Sequence, residues 1–120
     1  MMWNWRVIIV VPDSSKADAE RVARDINSTG PAYDGDAFTV SLSESGAGSP
    51  THWALYTSAT DEMISSMSLA LPNIDGAKYW RHDIAGHLIS SNVTDPQGQP
   101  WSFEDSIGSI GLRPVSTMPA

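Results

Sequence analysis

The stretch WRVIIVV, residues 5–11, decides how the rest of the chain is read. It is apolar and β-branched almost without interruption, as a strand is when both of its faces are buried. Alternation along a strand sends Trp5, Val7, Ile9 and Val11 to one face and Ile8 and Val10 to the other, beside Arg6. Pro12 ends the run. A strand with two apolar faces needs a covering layer on each, so the remaining elements have to supply both.

After Pro12, Ser15 followed three residues later by Asp18 resembles a capping box. Ala19, Val22, Ala23 and Ile26 then recur at helical spacing, while Lys16, Asp18, Glu20, Arg21, Arg24 and Asp25 take the outer face. Gly30-Pro31 closes this helix. A turn at Tyr33-Asp34-Gly35-Asp36 leads to a strand at residues 37–42, where Phe38, Val40 and Leu42 alternate with Thr39 and Ser41. Residues 43–50 are a glycine- and serine-rich loop, and residues 51–57 return as a second, more apolar strand. Thr60 is placed to cap a helix, with Asp61 and Glu62 at the positive end of its dipole. Met63, Ile64, Met67 and Leu71 form the buried stripe, and Pro72 stops it. Residues 78–84 form the next strand, which residues 87–93 continue after a bend at Gly86. Asp95-Pro96-Gln97-Gly98 is a turn. Ser102, with Asp105 three residues on, opens a short helix whose Phe103, Ile107 and Ile110 share a face, and Gly111 and Pro114 follow it.

The order is β-α-β-β-α-β, and the sequence therefore predicts an α+β fold. Its form would be a ferredoxin-like split βαβ sheet over residues 1–95. A C-terminal extension, residues 96–120, carries the short helix and packs on the sheet or on a partner. In this arrangement the first and third strands are central, and these are the most apolar strands of the chain. Two helices cover one face. The other is covered by residues 101–112 or by another subunit. The strand at residues 78–84 falls at the sheet border, with Trp80, His82 and Ile84 to one side and Tyr79, Arg81 and Asp83 to the other.

Composition removes several classes of function. The chain has no cysteine, which excludes disulfides, thiolate metal sites and cysteine nucleophiles. Its 120 residues suit one compact domain, and an apolar share of 41% with 18% charged residues is that of a folded protein. The apolar N-terminal run is too short to span a bilayer and lacks the basic lead and cleavage site of a signal peptide. The expectation is a mature chain made in the cytoplasm with no membrane partner. Net charge is −7, and no lysine or arginine lies between Arg24 and Lys78, where seven acids do. No cationic stripe is available for phosphates, so nucleic acid is not an expected partner.

The residues richest in chemical character are Tyr79-Trp80-Arg81-His82-Asp83-Ile84-Ala85-Gly86-His87. A metal held by His82, Asp83 and His87 needs convergence, but positions 82 and 87 point to opposite faces of a strand and do not share a helix face. Only a sharp bend at Gly86 brings the rings together, with His52 a possible third ligand. Ile107-Gly108-Ser109-Ile110-Gly111 only approaches a nucleophile elbow. Gly46-Ala47-Gly48 lacks the lysine and spacing of a phosphate cradle, and Asp34-Gly35-Asp36 is too short for a calcium loop. Asp61-Glu62 and Glu104-Asp105 are explained as helix starts. No catalytic, metal or cofactor residue is assigned, and the expectation is not an enzyme. Five tryptophans lean toward interfaces. The candidate interface residues are Trp53, Tyr56, Tyr79, Trp80, Arg81 and Trp101, with Trp53→Ala or Trp80→Ala expected to weaken association more than His82→Ala.

Leu42-Ser43-Glu44-Ser45-Gly46 with Pro50-Thr51-His52-Trp53, the segment from Met67 to Leu71-Pro72, and Phe103-Glu104-Asp105-Ser106-Ile107 leading to Gly111-Leu112-Arg113-Pro114 carry a resemblance. In these stretches it is similar to small late-gene proteins of tailed bacteriophages and of related gene-transfer particles of α-proteobacteria. None of the stretches is a functional motif, and no site residue is carried over. The resemblance implies a viral setting and two non-enzymatic roles. One is a virion component, such as a capsid cement (decoration) protein or a head or tail accessory subunit, that contacts other virion proteins or itself as an oligomer. The other is a soluble inhibitor that binds a host defence or metabolic protein. A small enzyme or metal-binding protein is a third class.

Overall fold

Strand β1 (Trp5–Pro12) runs through the interior of an antiparallel sheet, between β3 (His52–Ala59) and β4 (Lys78–Asp83). This computed structural model describes residues 3–26, 38, 40–44, 49–109 and 111–114. The predicted helix end at Gly30-Pro31, the turn at residues 33–36, Thr39, the Gly46-Ala47-Gly48 loop and Ile110 lie outside those residues. The remaining strands are β2 (Val40–Ser43), β5 (Leu88–Ser91) and the two-residue β6 (Arg113–Pro114), and the sheet order is β5-β4-β1-β3-β2-β6. The chain is thus α+β. Its sheet is wider than the four strands that the sequence predicts, because β5 lies outside β4 and β6 lies outside β2.

Both faces of β1 are covered, as its composition requires. On the first face Val7, Ile9 and Val11 join Leu55, Ala59 and Phe38. Helix α1 (Lys16–Ile26) adds Ala19 and Ala23, and helix α2 (Asp61–Ala70) adds Met63 and Met67. Each such side chain, fully buried, contributes about 1.5–3 kcal/mol if it is the size of valine or larger. The α2 stripe follows the spacing predicted for it. Thr60 caps that helix, its Oγ1 accepting the Met63 N–H at 3.2 Å. In α1 the buried Glu20 is bracketed by Lys16 at 3.2 Å and Arg24 at 3.7 Å. Ser15 is also buried, and its hydroxyl donates to the Asp75 carbonyl at 2.8 Å, tying the start of α1 to the loop before β4.

Helix α3 (Phe103–Ser109) packs on the second face, where Ile107 and Leu112 meet Val10, Leu42, Ala54 and Trp80. Ser102 caps α3 by accepting the Asp105 N–H at 3.2 Å. Gly111, at φ +76°, ends it in the left-handed conformation that glycine adopts freely. Of the two covers that the sequence leaves open for this face, the chain's own helix is in place.

The predicted continuation of the fourth strand through residues 87–93 needs correction. Residues after Gly86 fold back as β5, so β4 is an interior strand and not the sheet border. The reversal is local in origin. Asp83 accepts the His87 N–H through Oδ1 at 2.8 Å, and Gly86 sits at φ +92°. A β-bulge between Arg81 and His82 adjusts the pairing with β5.

Candidate functional site

Register along β1 settles where the histidines lie. His52 is opposite Pro12 at one end of the strand, and His82 is opposite Arg6 at the other. His87 belongs to the β4–β5 turn, with Nδ1 3.0 Å from Asp83 Oδ2. The three rings do not converge, and no group of three potential ligands occurs among the described residues. The Asp83 carboxyl is held below its usual range, first by the hydrogen bond from the His87 backbone. This pair is a turn lock. Burial chiefly, and then the charge of Lys78, lowers the His52 imidazole against the opposing pull of Glu44.

The six candidate interface residues are dispersed. Trp53 lies half-buried on the first face, with Nε1 donating to Asp13 Oδ1 at 2.6 Å and Lys16 Nζ 4.3 Å from its ring centroid. Tyr79 packs against the same core. Trp80 has no solvent exposure: Phe103 meets it edge-on at 5.1 Å, and its Nε1 donates to the Trp101 carbonyl at 3.0 Å. Trp80 therefore presents no surface to a partner and is a core residue, because α3 lands on it. Trp101 is half-buried, and Arg81 lies against Trp5 on the first face. Only Tyr56, 49% exposed, offers a large apolar area.

What the fold does assemble is a row that the sequence leaves unremarked. His82 on β4, Arg6 on β1 and Ser58 on β3 stand directly opposite one another on the second face. They lie beyond the reach of Phe103, which stops against Trp80 and, at 5.9 Å, Tyr56. A groove of about 320 Å³ remains there, lined by this row with Ile8, Tyr56 and Gly86. Neither Arg6 nor His82 has a carboxylate within ion-pair distance among the described residues. Burial, and then Glu104, raises the Tyr56 phenol, which stays a hydrogen-bond donor at neutral pH. Ser58 and His82 are separated by a whole strand, about 9–10 Å, too far for a nucleophile and its base. The groove offers a cation and hydrogen-bond donors above an apolar floor, which suits recognition of a carboxylate beside apolar groups. The available signal was Arg6, a lone charge inside an apolar run.

Around this end, Ile84 is 69% exposed in the turn and Ile89 is 44% exposed on β5. The outer side of β5 has no neighbouring strand among the described residues. No helix among those residues is long and apolar enough to cross a membrane.

The chain matches no protein-family model, no curated protein and no solved structure.

Proposed function

We propose that this chain is a non-enzymatic virion component of a tailed bacteriophage, a decoration protein or a head–tail accessory subunit, acting through protein–protein contacts. The observation that carries the contact role is the β4–β5 end of the molecule. Ile84 and Ile89 stand exposed beside an open sheet edge and next to the Arg6–His82 groove. Exposed aliphatic side chains beside an unpaired edge favour association by strand addition, with Arg6 fixing register against a partner carboxylate. The viral setting rests on the resemblance of residues 42–53, 67–72 and 103–114.

In fold terms, we infer that β4, β1, β3 and β2 with α1 and α2 form a ferredoxin-like split βαβ unit, to which β5, α3 and β6 are additions.

Two measurements test the reading. Mass spectrometry of purified particles is expected to find the chain. Its absence from particles overturns the virion role and leaves the host-directed inhibitor. Light scattering is expected to show self-association, or complex formation with a major virion subunit, that Ile84→Asp with Ile89→Lys abolishes while circular dichroism stays unchanged. Association unaltered by that pair overturns the β4–β5 end as the contact.

A further inference from the structure

On the opposite face of the sheet, α2 and the β4–β5 hairpin enclose a cleft of about 160 Å³, room for roughly five waters. Its inner wall is apolar, made by the buried Val7, Met67 and Leu71. Arg81, Tyr79 and Ser90 also line it. Apart from Val7, which lines both, the cleft shares no residue with the Arg6–His82 groove, and it does not depend on the proposed protein contact.

Arg81 is the reason to assign the cleft a ligand. Its guanidinium carbon lies 4.5 Å from the centroid of the Trp5 ring, and Trp5 is itself pinned by donating Nε1–H to Asp61 Oδ1 at 2.6 Å. The guanidinium is therefore held over a fixed indole. Its Nε is buried and has no acceptor, and no carboxylate lies within ion-pair distance among the described residues. A cation drawn partly out of water without a counter-charge is destabilising, and an anion in the adjoining cleft would compensate the delocalised charge. The bulge next to Arg81 is the kind of strand irregularity that re-aims a side chain beside a site.

The surroundings narrow the anion. There is one guanidinium, and the Asp61 carboxylate is hydrogen-bonded to the same indole, so a dianion such as phosphate meets too little positive charge. The apolar wall suits a hydrocarbon body. The Tyr79 and Ser90 hydroxyls can donate, whereas the Ser68 hydroxyl already gives its proton to the Ile64 carbonyl at 2.9 Å. We propose that this cleft binds a small monocarboxylate, its carboxylate on Arg81 with Tyr79 and Ser90 and its apolar end against Met67 and Leu71.

The test is a titration of the full chain with sodium benzoate, benzyl alcohol and inorganic phosphate, followed through the Arg81 Nε–H signal in ¹⁵N-correlated spectra. Benzoate is expected to give a saturable shift, benzyl alcohol none, and phosphate a weaker one. Arg81→Met, which removes that signal and is followed instead through the Trp5 Nε1–H beside it, should weaken benzoate at least about tenfold, the effect of losing a charged hydrogen bond. Ser90→Leu fills the cleft while keeping the guanidinium, and should abolish the shift even if the arginine variant fails to fold. No saturable shift with benzoate, an equal shift with benzyl alcohol, or binding retained in both variants overturns the site. Phosphate acting as strongly as benzoate overturns the monocarboxylate assignment.

Discussion

Trp80→Phe separates a core tryptophan from a contact residue, because the two placements differ several-fold in expected cost. The site has no solvent exposure, so the change removes both a hydrogen bond and packed volume. Loss of the Nε1–H donation to the Trp101 carbonyl costs about 0.5–1.5 kcal/mol net. The missing part of the indole is worth two to three methylene equivalents, hence about 1.6–2.4 kcal/mol. Together these amount to about 2–4 kcal/mol, a large part of the roughly 5–15 kcal/mol that stabilises a typical domain. Trp80→Ala goes further. It leaves a larger cavity and breaks the edge-to-face contact with Phe103, which alone is worth about 0.5–1.5 kcal/mol. Urea unfolding followed by far-ultraviolet circular dichroism reads the difference as a lowered midpoint at constant slope. Circular dichroism is preferred because tryptophan fluorescence changes with the substitution itself. A loss below about 0.5 kcal/mol for Trp80→Phe, the range of ordinary surface changes, would refute the buried placement and restore Trp80 to the surface.

Other substitutions probe different parts of the fold. Gly76 and Gly86 have similar positive φ values, +74° and +92°, but a Cβ on Gly76 would lie 2.6 Å from the Pro12 side chain while one on Gly86 meets nothing. Gly86→Ala should therefore cost about 1–2 kcal/mol for the backbone alone, and Gly76→Ala clearly more in the same urea assay; equal losses would contradict the contact with Pro12. His52 titrates below its unfolded value, so its neutral form belongs to the folded state. Its contribution is complete above about pH 6.5 and is lost as pH falls through the folded value. His52→Gln should flatten the decline in urea midpoint over that acid side of neutrality, and parallel curves would refute it. Ile107→Asp places an unpaired charge between α3 and the sheet, where Ile107 is 7% exposed. It should destabilise the chain by about 3 kcal/mol or more and raise light scattering as the second sheet face opens. An unchanged midpoint would mean that α3 does not seal that face.

The legibility of this fold follows the range of the interactions involved. β1, β3 and the α2 stripe can be read because hydropathy alternates within a few residues, and Thr60 and Ser102 because a cap acts within one turn. β5 could not be read, since residues 87–93 have the same pattern whether they continue β4 or return beside it. The choice is made by the Asp83 side chain and a glycine conformation. Trp80 looked like an edge residue because its burial depends on Phe103, which arrives from a helix more than twenty residues later. Arg6 and Arg81 were visible as charges on neighbouring strands, but not as charges with no carboxylate within ion-pair distance among the described residues. Asp61 is the reason for one of these absences: it is committed to Trp5 and not to the arginine stacked on that ring.

The interior position of β1 has a consequence during synthesis. Val7 pairs with Thr57 on one side and Arg81 on the other, so neither neighbour exists when residues 5–11 leave the ribosome. At about 5–20 residues per second, the first partner strand lags by a few seconds, and the α3 cover by longer still. For that interval the most apolar, β-prone segment of the chain is an unpaired strand of the kind that nucleates aggregation. The yield of folded protein should therefore depend on translation speed and chaperone access more than its short length suggests.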